Sequence, residues 1–355
     1  MPIDWTKSMQ QTYEFYEVDP GTWKNKKKLT DITGFNISRD RDADTLGSAT
    51  VTCTTDFREI YIRAYMTPIQ NGVKYNVPLG TYMVQTPTKT FDGKVTTYSL
   101  DAYTPLMELK EKIPPLGFTV SKGANIMETA VKLCREHMRA PVISPTIDPT
   151  KTLFEDFVAD SGDTWLSFLV DLISNANFIF DINEFGEILF APVQSTASLQ
   201  PVKTFDDSNS SILYPSISVE RDLYGMPNAV EVIFSTDTSY LYSKVVNDDV
   251  NSPISTVNRG REILYRDTSP SLAGNPTQEM VDEYAKKLLR NLSTLEYKIS
   301  YTHGYVPVRI GDCIRLNYEK AELKNVKAKV MTQSFKCDTG CSVTETAIYT
   351  NKLWG

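Results

Sequence analysis

The sequence predicts an α+β protein that is mainly β, with two small β-barrel domains, an α/β module between them and a helix-containing insertion in the second barrel. The main observation is a pattern that occurs twice: a proline leads to a glycine and then to an alternating strand, at residues 77–84 and 306–318. Proline lacks an N–H and suits the start or edge of a strand, whereas glycine permits a bulge or a tight corner. A turn and another alternating strand follow each copy, at residues 91–100 and 338–349. We therefore expect two β modules of related design.

Length and composition support a globular protein of several domains. A chain of 355 residues is too long for one ordinary core, and its apolar content of 41% and charged content of 23% are globular values. The net charge of −7 argues against a dedicated nucleic-acid-binding protein, which would carry a basic stripe. No secretory segment and no apolar run long enough to span a membrane is visible, so we expect folding in a cytoplasm.

Residues 1–117 are predicted to form the first β-barrel domain. Short runs with alternating apolar residues are separated by close turns, of which Asn71-Gly72 is a hairpin type. One helical turn is expected near residues 105–110. The expected strands are residues 32–37, 49–54, 59–65, 74–82, 83–88 and 95–100.

Residues 118–200 are predicted to form the α/β module. Residues 125–138 have the apolar spacing of an amphipathic helix, and Asp163 is the expected N-cap of a second helix. Residues 178–192 predict a hairpin around a turn at 183–186. The apolar positions of the second helix follow i, i+3, i+4 spacing: Trp165, Phe168, Leu169, Leu172 and Ile173.

Residues 201–355 are predicted to form the second β-barrel domain, with a loop and helix insertion around 236–293. Residues 247–253 are polar and are interpreted as a surface loop. Asn275 is the expected N-cap of a helix that runs to about Leu292, with Pro276 in its first turn and Gln278 completing a capping box. The expected strands are residues 216–221, 229–235, 261–266, 294–302, 312–318, 325–337 and 342–350.

A search for catalytic chemistry finds little. The chain has two histidines, His137 near a predicted helix end and His303 at a predicted strand end, and a helix-end histidine is usually solvated or interacts with the helix dipole. Glu155, Asp156, Asp160 and Asp163 could in principle supply the paired carboxylates of a glycoside hydrolase. Because a charge run is usually a solvated face, a surface interpretation is favoured.

Metal and phosphate binding are also weakly supported. The five cysteines are scattered, and Cys337 with Cys341 is the one close pair, without the spacing of a zinc knuckle. The favoured interpretation is two residues flanking a hairpin turn, with a metal site or a cross-strand disulfide as alternatives. The polar residues 247–249 lack the spacing of a calcium loop, and no glycine-rich phosphate loop is present.

One basic run, Lys24 with residues 26–28, is interpreted as a surface feature. Lysines coat loops and discourage unwanted pairing at sheet edges. Contact with an acidic neighbour in an assembly is the sharper alternative. The sequence thus predicts no catalytic, cofactor-binding or metal-binding residues, and it favours a structural role.

The ordered set of motifs resembles the baseplate hub (tail hub) proteins of bacteriophages and contractile injection systems. The resemblance covers nearly the whole chain, and it depends on the order of the motifs more than on any single motif. Residues 77–84 and 97–106 resemble the first barrel and its exit. Residues 123–126, 163–166 and 176–190 resemble the α/β module. Residues 226–230 and 307–312 resemble parts of the second barrel.

The resemblance implies a homotrimer in which two barrels per chain build a pseudo-sixfold ring around a channel for DNA. Such a ring joins a sixfold tail tube to a threefold central spike. The implied partners are the tail tube or distal tail protein, the spike or tail tip protein and baseplate wedge proteins, with a tape measure protein as a further candidate. The implied location is the virion, after synthesis in the bacterial host. Membrane contact and specific nucleic-acid binding are not implied, and hubs are not themselves enzymes.

Two other functions remain open from the residues alone. The first is a tail-associated cell-wall hydrolase that uses the acidic residues between 155 and 163. The second is a glycan-binding adhesin module that uses exposed tyrosine and tryptophan side chains. Peptidoglycan zymography and glycan-array binding would distinguish these two functions from a structural one.

Overall fold

The computed structural model describes residues 2–235, 240–272 and 276–354 and shows a mainly β protein with few helices. The helices are α1 Met107–Lys110, α2 Ile126–His137, α3 Trp165–Ser174, α4 Thr256–Arg259 and α5 Gln278–Leu292. The strands are β1 Gln10–Val18, β2 Asn25–Leu29, β3 Ile32–Asp40, β4 Gly47–Cys53, β5 Tyr61–Gln70, β6 Val73–Lys74, β7 Val77–Phe91, β8 Thr96–Tyr103, β9 Thr119–Val120, β10 Phe157–Val158, β11 Phe178–Ile182, β12 Ile188–Pro192, β13 Lys203–Asp206, β14 Leu213–Arg221, β15 Ala229–Ser235, β16 Tyr240–Val246, β17 Leu264–Asp267, β18 Thr294–Gly304, β19 Cys313–Tyr318, β20 Leu323–Lys336 and β21 Ser342–Lys352.

The chain forms two compact units. The first unit contains the described residues up to Ile217 together with Tyr301–Thr346, and the second contains Ser218–Ser300 and the described residues from Ala347 onwards. Of the described helices, none is long and apolar enough to cross a membrane. The predicted domain boundaries at residues 117 and 200 stay predictions.

The β-sheet of the first unit joins the two chain segments that carry the doubled pattern. Its strands follow the order β20-β3-β4-β8-β7-β5-β1-β2, and β19 pairs with β20. The junction is antiparallel, with Thr332–Lys336 of β20 paired to Asn36–Asp40 of β3. The strands of the C-terminal segment therefore continue the same hydrogen-bonded sheet as those of the N-terminal segment.

The glycine of the first copy lies beside a β-bulge, as predicted. Ala64 pairs with Gly80 and Tyr65 pairs with Pro78, so Leu79 is an extra residue in β7. A Cβ atom on Gly80, whose φ is +154°, would lie 2.5 Å from the ring of Tyr82. Only glycine fits this close approach, which confirms the sequence interpretation.

The core of the first unit is built from the inward-facing residues of these strands. Alternation along β3, β4 and β8 places every second side chain on the buried face. Complete burial of one such side chain stabilises the fold by about 1.5–3 kcal/mol. Members of this core include Phe35, Ile37, Val51, Ile62, Leu79, Leu100, Phe335 and Val343.

Most predicted strands are present within a few residues, but β1, β2, β13 and β16 were missed. The two strands predicted at residues 74–82 and 83–88 are one continuous strand, β7. The β1 sequence carries a weak alternating signal, with Phe15 and Val18 buried and Tyr13 half-buried. The polar sequence of β2 gives almost no strand signal, because four of its five residues are exposed. Its pairing with β1 is a tertiary effect that local sequence does not encode.

The helices of the predicted module are confirmed, with one correction at a cap. Asn125 caps α2 and accepts a hydrogen bond from the backbone N–H of Glu128. The N-cap of α3 is Thr164, and not Asp163, because Thr164 is extended and forms a reciprocal capping box with Ser167. The predicted apolar face of α3 is buried at all five positions: Trp165, Phe168, Leu169, Leu172 and Ile173.

The second unit places α5 on a small sheet formed by β16, β15 and β17. Helix α5 begins at Gln278 with Thr277 as its N-cap, since the Thr277 hydroxyl accepts from the N–H of Met280. Gln278 is therefore the first helical residue and not the third, and Asn275 lies outside the described residues. The buried face of α5 packs with β15 in a core of Val230, Val232, Val281, Ala285 and Leu289.

The polar segment 247–253 is not a fully solvated loop. Asn247 is completely buried, and its side-chain amide donates to the Ser252 hydroxyl at 2.8 Å. Its carbonyl oxygen accepts from the N–H of Asp249, while Asp249 itself is exposed. Asn247 thus organises the turn from within, which the composition alone did not reveal.

Candidate assembly site

The β11–β12 hairpin of the predicted module contacts the large sheet of the first unit through its turn. Asn183 accepts from the N–H groups of Phe185 and Glu187 and so shapes the turn. Gly186 has φ +73°, and a Cβ atom there would lie 2.8 Å from Cβ of Thr81 and 3.2 Å from the ring of Trp23. The backbone of the turn therefore lies so close to the sheet that no side chain fits at position 186.

Arg63 of β5 donates hydrogen bonds to the tip of this hairpin and to the neighbouring strand β7. Arg63 is buried, with 4% of its surface exposed. Its guanidinium donates to the Phe185 carbonyl at 2.9 Å and to the Thr81 hydroxyl at 2.9 Å. The Trp23 indole N–H donates to the same Phe185 carbonyl at 2.7 Å. Hydrogen bonds from a buried guanidinium are among the stronger ones in proteins, so this contact should rigidify the hairpin.

Arg309 holds the same hairpin from the second copy of the pattern. Its Nε lies 3.3 Å from a carboxylate oxygen of Glu184, and its Nη2 donates to the carbonyl of Ile182. Arg39 lies 3.6 Å from the same Glu184 oxygen and donates to the Leu79 carbonyl at 2.6 Å. Residues of both pattern copies therefore meet on one turn, which we call the hairpin clamp: Trp23, Arg39, Arg63, Thr81, Arg309 and residues 182–186.

A buried polar network supports the clamp from the core. Gln333 donates to the Val308 carbonyl at 2.8 Å and to the Glu345 carboxylate at 2.5 Å, and it accepts from Arg39 at 3.1 Å. Tyr301 donates to the other carboxylate oxygen of Glu345 at 2.5 Å. Burial first, and the Glu345 charge second, hold the pKa of Tyr301 well above its ordinary value, so its hydroxyl remains a donor.

The two histidines have structural surroundings. His303 is completely buried, not solvated, and its Nε2 lies 3.3 Å from Glu345, an ion-pair distance without an aligned hydrogen bond. His137 stacks on Trp165 with ring centroids 4.0 Å apart. Burial, with a smaller contribution from the Lys112 charge, lowers the pKa of His137, so neutral imidazole is favoured.

The cysteine pair flanks a turn, as the sequence interpretation expected. Cys337 and Cys341 are free thiols on either side of residues 338–340. Burial raises the pKa of Cys341 to about 11 and raises that of Cys337 further. Protonated thiols are poor metal ligands, and the described part of the chain contains no cluster of three or more His, Cys, Asp or Glu side chains arranged to hold a metal.

The acidic residues between 155 and 163 are used in part for local structure. Asp156 accepts from the N–H of Lys122 at 2.7 Å. Asp163 accepts from the N–H of Asp160 at 2.8 Å and from the Ser167 hydroxyl at 2.9 Å. These contacts organise a loop and a helix start, and they give neither carboxylate a catalytic arrangement.

The lysine run lies at a sheet edge. Its strand β2 pairs with β1 and ends the strand order of the sheet. Lys26 lies 2.8 Å from Glu17 and Lys28 lies 3.1 Å from Glu14, so two of the lysines pair with acidic residues of β1. This position confirms the interpretation of the run as an edge feature.

Exposed apolar side chains mark a further candidate contact surface. Beyond Val84, β7 pairs only with β8, because its pairing with β5 ends at Met83. The pairing of β8 with β4 ends at Tyr98. Residues 86–97 thus form the end of the β7–β8 hairpin, which we call the ribbon, and its outer part at residues 90–97 is two-stranded. Its tip carries Phe91, 64% exposed, and Val95, 52% exposed. Isolated ribbons are marginally stable in water, and exposed apolar side chains of this kind are common at protein contacts.

Comparison with known proteins identifies the fold. No protein-family model and no curated protein sequence matches the chain. A tail protein from Neisseria meningitidis is similar in structure, at 13% identity and a TM-score of 0.63, over 95% of this chain and 97% of that one. The 43 kDa tail protein of prophage MuSo2 from Shewanella oneidensis is similar at 13% identity and a TM-score of 0.61, over 94% and 97% of the two chains.

The chain has the fold of phage tail proteins. A chain in the Francisella PdpA–VgrG complex is also similar, at 7% identity and a TM-score of 0.59, over 96% of this chain and 53% of that one. At the level of the fold these similarities confirm the resemblance that the ordered motifs indicated.

Proposed function

We propose that the protein is the structural hub of a phage tail baseplate. Three copies form a ring around a central channel, and each chain contributes two similar β-barrels, so that the ring has pseudo-sixfold symmetry. Such a ring connects the sixfold tail tube to the threefold central spike and leaves a path for DNA ejection. Cyclic closure lets head-to-tail contacts between subunits end in a finite assembly.

The observation that carries this proposal is the fold similarity to two tail proteins over 97% of each of their chains. The doubled β pattern adds to it, because a chain with two like modules presents six similar faces in a trimer. The hairpin clamp supports a rigid relation between the two modules, since Thr81 of the first copy and Arg309 of the second copy both donate to backbone carbonyls of the same turn.

The proposed partners follow from this role. The tail tube or distal tail protein, the central spike or tail tip protein and baseplate wedge proteins would contact different faces of the ring, and a tape measure protein would reach its channel. The ribbon of residues 86–97 offers exposed apolar side chains for such contacts. The proposed role is structural and located in the virion, without catalysis, a cofactor or sequence-specific DNA binding.

Light scattering of the purified protein at about 50 µM, where weak interfaces still associate, tests this proposal. A chain of 40.0 kDa is expected to give a particle of about 120 kDa. A monomeric mass under these conditions would contradict the trimer. Deletion of residues 86–97 with a two-glycine replacement should weaken association if the ribbon contributes to the contacts between subunits.

A further inference from the structure

A cavity of about 150 Å³ lies beside the hairpin clamp. Its wall is formed by one side of the β11–β12 hairpin, by the corner at residues 309–312 and by the start of the chain segment that follows the hairpin. Since a water molecule takes up about 30 Å³, this volume corresponds to roughly five waters. It is large enough for a small ion with several oxygen atoms.

The charged residues of the wall do not balance. Asp181 lies 3.5 Å from Arg41 and 3.5 Å from Arg309, so one carboxylate faces two guanidinium groups. Asp312 accepts from the backbone N–H of Arg309, and burial raises its pKa. Lys329 adds a third cation, and its side chain forms no hydrogen bond or ion pair with any residue that the structure describes.

Arg41 presents a donor without a hydrogen bond in this wall. Its side chain is 8% exposed, and its Nη1 atom, although it lies 3.5 Å from the Asp181 carboxylate, has no hydrogen-bond partner among the described residues. The head group lies at the corner that lines the cavity, because an ideal Cβ on Gly311 would be 3.7 Å from the guanidinium carbon. A buried polar atom without a partner is costly, which makes this donor the clearest sign of a ligand.

Lys329 and Arg41 are two like charges held close together. Burial first, and the Arg41 charge second, lower the pKa of Lys329. Burial is also the largest cause that lowers the pKa of Arg41, with Asp181 acting in the opposite direction and Arg309 adding to the lowering. The Asp42 charge acts on the pKa of Lys329 in the opposite direction, and Asp42 is an exposed residue.

We propose that this cavity binds a small oxyanion between the Arg41 guanidinium and the Lys329 ammonium. An oxyanion supplies the hydrogen-bond acceptor that Arg41 Nη1 lacks. Its negative charge lies between the two cations and offsets their repulsion. Guanidinium groups suit phosphate, sulfate and carboxylate through paired N–H donors, and the ammonium adds a point charge. The oxyanion could be a free inorganic ion or the carboxylate of an acidic side chain from a neighbouring protein.

Thermal unfolding of the full chain tests the site, with inorganic phosphate and acetate as separate probes. For millimolar binding, about 20 mM phosphate should raise the melting temperature by roughly 3 °C over sodium chloride at the same ionic strength. A shift with phosphate alone identifies a tetrahedral anion, and an equal shift with acetate identifies a carboxylate site. No shift with either anion beyond the chloride control would overturn the proposal.

Lys329→Gln is the decisive variant, because the Lys329 side chain has no hydrogen bond or ion pair within the described residues that the change would remove. Without added anion its melting temperature should equal or exceed that of the wild type, since repulsion with Arg41 is removed. The anion-dependent shift should disappear. Lys336→Gln, which changes an exposed lysine of the same strand, should keep the full shift. Retention of the shift in Lys329→Gln, or a loss of stability in that variant without anion, would refute the site.

Discussion

Replacement of Gly186 by alanine should disrupt the hairpin clamp more than its backbone conformation alone predicts. The new Cβ would lie 2.8 Å from Cβ of Thr81 and 3.2 Å from the Trp23 ring, and neither neighbour is the free end of a flexible chain. The positive φ costs alanine about 1–2 kcal/mol. Overpacking adds about 1–3 kcal/mol, so we expect a loss of roughly 2–5 kcal/mol in the free energy of unfolding.

Gly117→Ala is a matched control for this change. Gly117 has the same φ of +73°, but a Cβ atom there would meet nothing within 4 Å. It should therefore cost only the backbone contribution of about 1–2 kcal/mol. The difference between the two variants isolates the contact of the hairpin with Thr81 and Trp23.

Urea unfolding measures the loss in the free energy of unfolding for each variant, and amide hydrogen exchange shows which elements are destabilised. In Gly186→Ala, the amides of β11 and β12 should exchange faster, whereas the helix core around Leu169 should change less. Equal losses in the two alanine variants, or unchanged exchange in the hairpin, would refute the close contact on which the clamp is built.

Three further outcomes are expected. Gln333→Leu leaves the Val308 carbonyl and one of the two Glu345 carboxylate oxygens without a hydrogen-bond donor, so urea unfolding should show a loss of about 2–4 kcal/mol in the free energy of unfolding, and a loss below about 1 kcal/mol would contradict the network. Hydrogen bonds from Lys74, Tyr16 and Lys28 lower the pKa of Glu14 from 4.5 to about 2. The contribution of Glu14 to the free energy of unfolding is therefore present above pH 4.5 and is lost as the pH falls towards 2. Glu14→Gln should flatten that acid dependence, and an unchanged profile would show that these partners do not act. Buried Cys341, with a pKa of about 11, should react slowly with iodoacetamide at neutral pH in the native state and rapidly in urea, as read by mass spectrometry; rapid native labelling would contradict its burial.

Local patterns explain which parts of the fold could be predicted. The buried face of α3 follows from apolar spacing, the β11–β12 hairpin from two short strands around a polar turn, and the Gly80 bulge from glycine after proline. The cap of α3 was misplaced by one residue because both Asp163 and Thr164 are good cap residues. Only the backbone geometry of Thr164 decides between them.

The hairpin clamp could not be predicted, because its contacts join distant parts of the chain. Arg63 and Phe185 are separated by 122 positions, and Arg309 and Ile182 by 127. A single arginine in a strand carries no local signal that it will be buried, since most arginines remain exposed. The same holds for Gln333, Glu345 and His303, whose common burial depends on strands brought together by the whole sheet.

The two copies of the β pattern contact the same hairpin turn. Its first copy supplies Thr81 and the Leu79 carbonyl, and its second copy supplies Arg309, so both copies act on the turn at residues 182–186. Whether residues 77–103 and 306–350 superpose as two barrels stays a prediction. That superposition would give the trimer its six similar faces.

Electron cryomicroscopy of the purified full-length protein tests the hub role most directly. We expect ring-shaped particles of three chains, with six similar β densities around an open channel and threefold symmetry in the refined map. Particles that are monomeric, or rings whose subunit number is not three, would contradict the proposed trimeric hub.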